Sequence, residues 1–448
     1  MNELVKDEKK IANNTLKILV VNDVFPHIKN ATTILFNNIV PLIKKEVEIK
    51  VFWIITENYG EKIKLTDPNY EIFYLSDYNN AYEILDRIKP DLSYHLAGYS
   101  LIDYAFMMVE RYLKIPNFGF ASGGVDGLSG DYFREETSRK KLFLEHKRQF
   151  FEKKSSDYGN STNEYRGKNF LRKCLFLIKT LRSIGKSYLY IIKEIIYGIK
   201  LFYRTPDEYN EKFNCNLIFT ENKSSIDWLV KTGLKRENIR AVGNPVFHQA
   251  SEKKRRTSLD NNNKLNVLFI TANLTSGQGK SNFSKLRRNK MIQEIIIGLK
   301  KINKDISLVI KIHPTAENYI EFEQFVDKAK NIDISQRDDI MDLVNKADII
   351  ITPVTSTATI IALIMDKPVI IWNYFDIEED LLLRKNIVLE CKNNTELDHC
   401  INTAESFRVK NLEKIKHFID ENFSYGNSSQ LIVNEILDLL RRHSTKTN

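Results

Sequence analysis

ADIIITPVTSTATIIALIMDKPVIIWN, residues 347–373, changes its periodicity twice within a span that fits one strand, one helix and a second strand. Ile349, Ile350, Ile351 and Thr352 form a β-branched run without alternation, the pattern of a strand buried on both faces of a parallel sheet. Pro353 cannot donate to a ladder, so the strand stops there. The hydroxyls of Thr355, Ser356, Thr357 and Thr359 then fall where a helix must begin, followed by apolar residues to Met365. Asp366-Lys367-Pro368 ends that helix, and Val369 to Trp372 makes the next buried strand. Two uses of the hydroxyls are open. They cap the helix, or they join its free N–H groups as a seat for an anion. A membrane span is excluded, because Pro353 and five hydroxyl side chains interrupt the 17 uncharged residues 349–365.

The same alternation extends outward in both directions. Strands are expected over 16–21, 49–55, 70–75, 92–95 and 115–120, with helices over 31–45, 81–88 and 101–113. After an insert the pattern resumes with a strand at 215–220, a helix at 224–232 and a strand at 239–242. A polar segment over 251–264 reads as a linker. Beyond it come a strand at 267–271, a helix at 291–301, a strand at 307–312 and a terminal amphipathic helix at 430–441. The class is therefore α/β, with two doubly wound Rossmann-like domains facing across a cleft. Their expected extents are 1–250, which carries a basic helical insert at about 140–212, and 263–448, whose last helix is a candidate to cross back.

Length and composition agree. A chain of 448 residues supports two cores, and 42% hydrophobic with 28% charged residues is globular usage. The polar residues 1–14 contain no apolar signal segment, and the four cysteines show no CxxC spacing, so reduced thiols in a cytoplasmic protein are expected. Eight histidines include no HExxH pair, and neither a metal nor a cofactor is implied. The net charge of +9 is local: residues 166–204 carry ten basic side chains and one acid, Glu194. A single charged insert is not the mark of a nucleic-acid binder. Phe170, Cys174, Leu177, Leu181, Ile184, Tyr188, Ile191, Ile195, Ile199 and Phe202 recur there at helical spacing, with a break expected at Gly185. Such a helix suits an anionic membrane surface, its own domain, or a second protomer.

Two loops carry candidate chemistry. Residues 122–131 hold four glycines and two carboxylates, Asp126 and Asp131, after a strand, and His313-Pro314 follows another strand. His313-Pro314 with Ser356-Thr357 resembles the HP and Ser/Thr motifs of the sialyltransferase, polysialyltransferase and CDP-glycerol transferase families, which have the GT-B fold. That resemblance implies a metal-independent inverting glycosyltransferase with a nucleotide-activated, CMP-linked sugar as donor. The acceptor would be a glycan or lipid-linked chain of a surface polysaccharide or capsule. It places a catalytic base at Asp126, with Glu135 or Glu136 as substitutes, although Val125 stands where those families carry an acid. It places the nucleotide phosphate at His313, Pro314, Thr355, Ser356 and Thr357; Asn273 and Gly243 are further candidates for binding the nucleotide.

A second similarity spans 89–385. Pro90-Asp91, Ile115-Pro116, Gly123-Gly124, Glu135-Glu136 with Arg139, and Gly243-Asn244-Pro245 are spaced as in the non-hydrolysing UDP-N-acetylglucosamine 2-epimerases. The chain departs from that pattern at the chemistry. His95-Leu96-Ala97-Gly98 lacks the family's acid, Asn273 replaces its catalytic His, and Thr359, Ile360 and Ile361 replace its ribose-binding Glu pair. An epimerase needs acid and base on both sides of a sugar carbon, so transfer is the expected reaction and epimerisation the alternative.

Overall fold

The computed structural model describes residues 15–22, 25–26, 31–56, 65, 67–95, 101–121, 166–203, 214–231, 233–254, 264–271, 285–313, 317–327, 331–373, 380–423 and 426–447. Its first sheet is wholly parallel. Strands β1 (Leu16–Asn22), β2 (Ile49–Ile55), β3 (Tyr70–Tyr74), β4 (Leu92–His95), β5 (Asn117–Ala121), β6 (Leu217–Thr220) and β7 (Ile239–Ala241) lie in the order β3-β2-β1-β4-β5-β6-β7. Unalternating apolar runs form these strands because both faces are covered. Leu19 and Val21 enter a core built with α2 (Ala81–Ile88) and α3 (Leu101–Leu113), while Ile18 and Val20 enter another with α1 (Ala31–Ile43).

Helices α4 (Arg166–Ser183) and α5 (Tyr188–Tyr203) follow β5, and the break between them falls at Gly185, whose φ of 72° lies in the left-handed region. Cys174, Leu177, Leu181, Ile184 and Ile191 of the expected apolar stripe are buried and join the core of the first sheet, where α4 packs on α3. Tyr188 does not; it is 70% exposed. Helix α6 (Ser224–Lys231) then connects β6 to β7.

The expected linker begins inside a helix, α7 (Pro245–Lys254), whose Phe247 and Ala250 belong to the second core region. Next come β8 (Leu265–Ile270), α8 (Lys285–Lys301), β9 (Ile306–Lys311), β10 (Ile332–Ser335), α9 (Ile340–Lys346), β11 (Ile349–Thr352), α10 (Thr357–Ile364), β12 (Val369–Trp372), α11 (Leu381–Arg384), β13 (Leu389–Cys391), α12 (Leu397–Lys410) and α13 (Leu412–Asn422). The strands form a second parallel sheet in the order β10-β9-β8-β11-β12-β13. Ile349 and Ile351 enter one core and Ile350 the other, so the decisive run is buried on both sides. The last helix, α14 (Ser428–Thr447), leaves this unit. Its Ile432, Val433, Ile436 and Leu439 are buried with Ile18, Val20, Phe36 and Ile39 of the first. All four cysteines are buried and unbridged. Among the described residues no helix is long and apolar enough to cross a membrane.

Candidate functional site

Each sheet reverses its winding at one point, between β1 and β4 in the first and between β8 and β11 in the second. The crevice outside the carboxyl ends of the strands at such a point is where open α/β sheets take ligands. In the second sheet β8 pairs with both β9 and β11. That topology sets Thr271 after β8, His313 after β9 and Ser356 after β11 side by side on one edge, although 85 positions separate the first from the last.

Glu317 organises the β8–β9 side. Its carboxylate accepts the His313 N–H at 2.7 Å and the Thr271 hydroxyl, tying the two strand ends together. Burial pushes its pKa up, against the opposing pull of those hydrogen bonds and of Arg288. One of its oxygens, Oε1, is buried with no hydrogen-bond partner among the described residues. The His313 pKa is lowered, by burial first and by the Lys311 cation second, which favours a neutral imidazole at neutral pH. Lys311 is itself buried, and its ammonium donates to the Ile312 and Gln336 carbonyls.

Ser356 opens the β11 side. It is the N-cap of α10, with its side chain accepting the Thr359 N–H and the Thr359 hydroxyl accepting the Ser356 N–H, a reciprocal capping box. Helix geometry leaves the N–H groups of Thr357 and Ala358 without an intrahelical acceptor. With the exposed Thr357 hydroxyl they make a positive end suited to an anion. Thr355 is used differently. Its N–H and hydroxyl both go to the buried Asp380 carboxylate, at 3.1 and 2.7 Å, and Asp380 also accepts the Leu382 N–H at the start of α11. Thr355 thus fixes the loop and turns its donors inward, away from the strand-end crevice.

Gly243 is buried after β7 with φ 78°, a conformation that suits glycine. Beside it Asn244 caps α7 by accepting the Val246 N–H and donates to Glu221 at 2.7 Å. Asp126, Glu135, Glu136, Asn273 and Pro314 lie outside the described residues. Thr359, Ile360 and Ile361, where the resemblance to the 2-epimerases leads one to expect a ribose-binding Glu pair, are all fully buried. Among the described residues no group of three or more His, Cys, Asp or Glu could hold a metal ion.

Sequence reasoning missed a polar cluster at the winding reversal of the first sheet. His95, at the end of β4, is fully buried between two carboxylates of α3, with Nδ1 3.3 Å from Asp103 and Nε2 2.8 Å from Glu110. Glu110 also accepts Asn117 Nδ2 at 2.8 Å. Burial alone lowers the imidazole pKa, but the two carboxylates outweigh it and push the value up to about 10. The sequence signal is the pair of acids seven residues apart in a helix whose one other charged residue is Arg111, a spacing that puts both acids on one face. Glu317 and Asp380 were missed as well; an Asp directly before Leu381-Leu382-Leu383 is the cap pattern that points to the latter.

Residues 212–437, just over half of the chain, match the sequence model of the UDP-N-acetylglucosamine 2-epimerase family. Among solved structures, the chain superposes on a putative UDP-N-acetylglucosamine 2-epimerase from Listeria monocytogenes with TM-score 0.51 and 13% identity, covering 97% of this chain and 98% of that one. The UDP-GlcNAc 2-epimerase from Neisseria meningitidis bound to UDP-GlcNAc gives 0.50 and 14%, covering 94% and 100%. A variant of the wall teichoic acid polymerase TagF gives 0.51 and 12%, covering 98% and 93%. No curated protein sequence matches. At these identities the likeness is one of fold, and the fold is GT-B: two Rossmann-like domains, as the alternation of strands and helices implies.

Proposed function

Because the chain belongs to the UDP-N-acetylglucosamine 2-epimerase family, we propose that it acts on a nucleotide-activated sugar, and that it transfers the sugar with inversion instead of epimerising it. The observation that carries this reading is the strand order that brings His313 after β9 and the capped N-terminus of α10, with Ser356 and Thr357, to the same edge of the second sheet, the His313 pKa being lowered by burial and by Lys311. Those donors suit a departing nucleotide phosphate, whose charge grows as the bond to the sugar breaks, without calling on a metal. In the transfer the acceptor hydroxyl attacks the anomeric carbon, Asp126 takes its proton, with Glu135 and Glu136 as the alternative bases, and the electron pair of the cleaved C–O bond leaves with the phosphate. Pro314 is assigned to the nucleotide side by the resemblance, with Gly243 and Asn273 as further candidates, and Thr355 holds the loop through Asp380.

A CMP-linked acidic sugar is the favoured donor, and the acceptor is a glycan or lipid-linked chain of a surface polysaccharide. Epimerisation is the second reading, favoured by the family match itself. Against it stand the departures from that family's pattern, with Thr359, Ile360 and Ile361 in place of the ribose-binding Glu pair and Asn273 in place of the catalytic His. Incubation with CMP-, UDP- and GDP-sugars and an acceptor extract, followed by chromatography of free nucleotide, separates the two. Release of nucleotide with glycosylated product is expected. Conversion of UDP-N-acetylglucosamine to its 2-epimer without free nucleotide would overturn the transferase reading.

A further inference from the structure

The inner stripe of α4 and α5 is spent on the core of the first sheet, yet these helices are apolar on the outside too. Leu171 and Leu175 of α4 and Leu189, Ile192 and Ile196 of α5 are each at least 50% exposed. They are not scattered. Leu171, Leu175, Lys179 and Arg182 follow steps of four, four and three; Leu189, Ile192, Lys193 and Ile196 follow steps of three, one and three, so each set covers one outward helix face. The two faces are joined across the turn at Gly185, where the Arg182 guanidinium lies 5.4 Å from the Tyr188 ring and donates to its hydroxyl at 3.1 Å.

The charge on this surface has one sign. Lys179, Arg182, Lys186 and Lys193 are exposed, whereas Glu194, the single acid of residues 171–197, is 2% exposed and bonded to the Tyr104 hydroxyl. An isologous contact between these helices of two copies would bring like-charged faces together with no exposed acid of α4 or α5 among the described residues to compensate, which is unfavourable. An anionic lipid surface satisfies both halves of the pattern: the leucine and isoleucine tips enter the headgroup–acyl boundary while the lysine and arginine stems lie along it with their charges on lipid phosphates. We infer that the α4–α5 hairpin is a docking surface for an anionic membrane, engaged through Leu171, Leu175, Leu189, Ile192 and Ile196. This rests on the hairpin alone and holds whichever reaction the domain pair performs.

Flotation of the purified full chain with vesicles of phosphatidylglycerol and phosphatidylcholine tests it, with pure phosphatidylcholine vesicles as comparison. Binding to the anionic vesicles only, weakening as salt is raised, is expected. The double variant K186Q/K193Q removes two exposed cations and should bind on the order of thirtyfold more weakly. L189D/I192D changes only exposed positions, so it should keep the parent melting temperature while losing flotation. Equal binding to neutral vesicles, no binding to either by a protein whose circular dichroism is that of the folded state, or undiminished flotation of L189D/I192D would each overturn the inference. So would a dimer in sedimentation that L189D/I192D dissolves, which would assign the face to a second copy.

Discussion

Replacing His95 by leucine should be among the most damaging single changes in the first domain. The side chain is fully buried and lies between the carboxylates of Asp103 and Glu110, at 3.3 and 2.8 Å. Removing one partner of a buried ion pair leaves an uncompensated charge and costs about 3–5 kcal/mol. A second route gives a similar size. Raising the imidazole pKa from 6.5 to about 10 corresponds, at about 1.4 kcal/mol per unit, to roughly 5 kcal/mol of preference for the imidazolium in the folded state. A domain with ~5–15 kcal/mol of stability would lose much of it. The pH dependence follows from the direction of the shift. A pKa raised on folding contributes stability that is complete below about pH 6.5 and is lost as pH rises through about 10. Urea unfolding of wild type and His95→Leu between pH 6 and 10, followed by circular dichroism, measures both effects. The variant should be destabilised most at pH 6, and the gap should narrow toward pH 10. Adding Asp103→Asn and Glu110→Gln to His95→Leu should restore part of the loss by removing the stranded charges. A cost below about 1 kcal/mol, or a gap that does not depend on pH, would refute the picture of a buried imidazolium.

Three further outcomes are expected. His313→Ala should weaken nucleotide binding by about 1.5–3 kcal/mol, the range for hydrogen bonds to charged groups, with little change in the melting temperature of the free protein; titration calorimetry and a thermal scan check the two halves separately. Ser356→Ala removes the N-cap of α10 and should cost about 1 kcal/mol of stability as well as nucleotide affinity, while Thr357→Ala, at an exposed position, should cost affinity alone. Gly298→Ala should destabilise by about 1–3 kcal/mol in denaturant titration, because a Cβ there would sit 2.8 Å from Leu397 Cδ2 and 3.3 Å from the Asn394 carbonyl.

The strand at 349–352, the hydroxyl-rich helix start and the strand at 369–372 could be read from sequence because each is local. A strand buried on two faces needs an unbroken apolar run, and a helix start needs a cap within three residues. The doubly wound class follows from repeating that unit. Shorter or more polar elements escaped: β10 carries Asp333 and Ser335, and β13 is three residues long with Glu390 in its middle, so neither shows the apolar run. In the basic helices the period was legible, but not which face meets protein. Both faces of α5 carry large apolar residues, and only the packing into the core of the first sheet separates Ile191, inside, from Leu189 and Ile192, outside.

The site divides the same way. His313, Ser356 and Thr357 stand out in the sequence because strand ends and helix starts announce themselves through neighbouring residues. Glu317, Asp380 and the His95–Asp103–Glu110 cluster do not, since each acquires its meaning from a partner on another element: Thr271 for Glu317, Thr355 for Asp380, and helix α3 for His95. Backbone hydrogen bonding ties periodicity to residues three or four apart in a helix and two apart in a strand, so the sequence alone determines the long, strongly periodic elements, while the short or polar ones depend on their neighbours. Which strand lies beside which is decided by the burial of whole sheet faces. It is that order, with β8 between β9 and β11, that sets His313 and Ser356 on one edge.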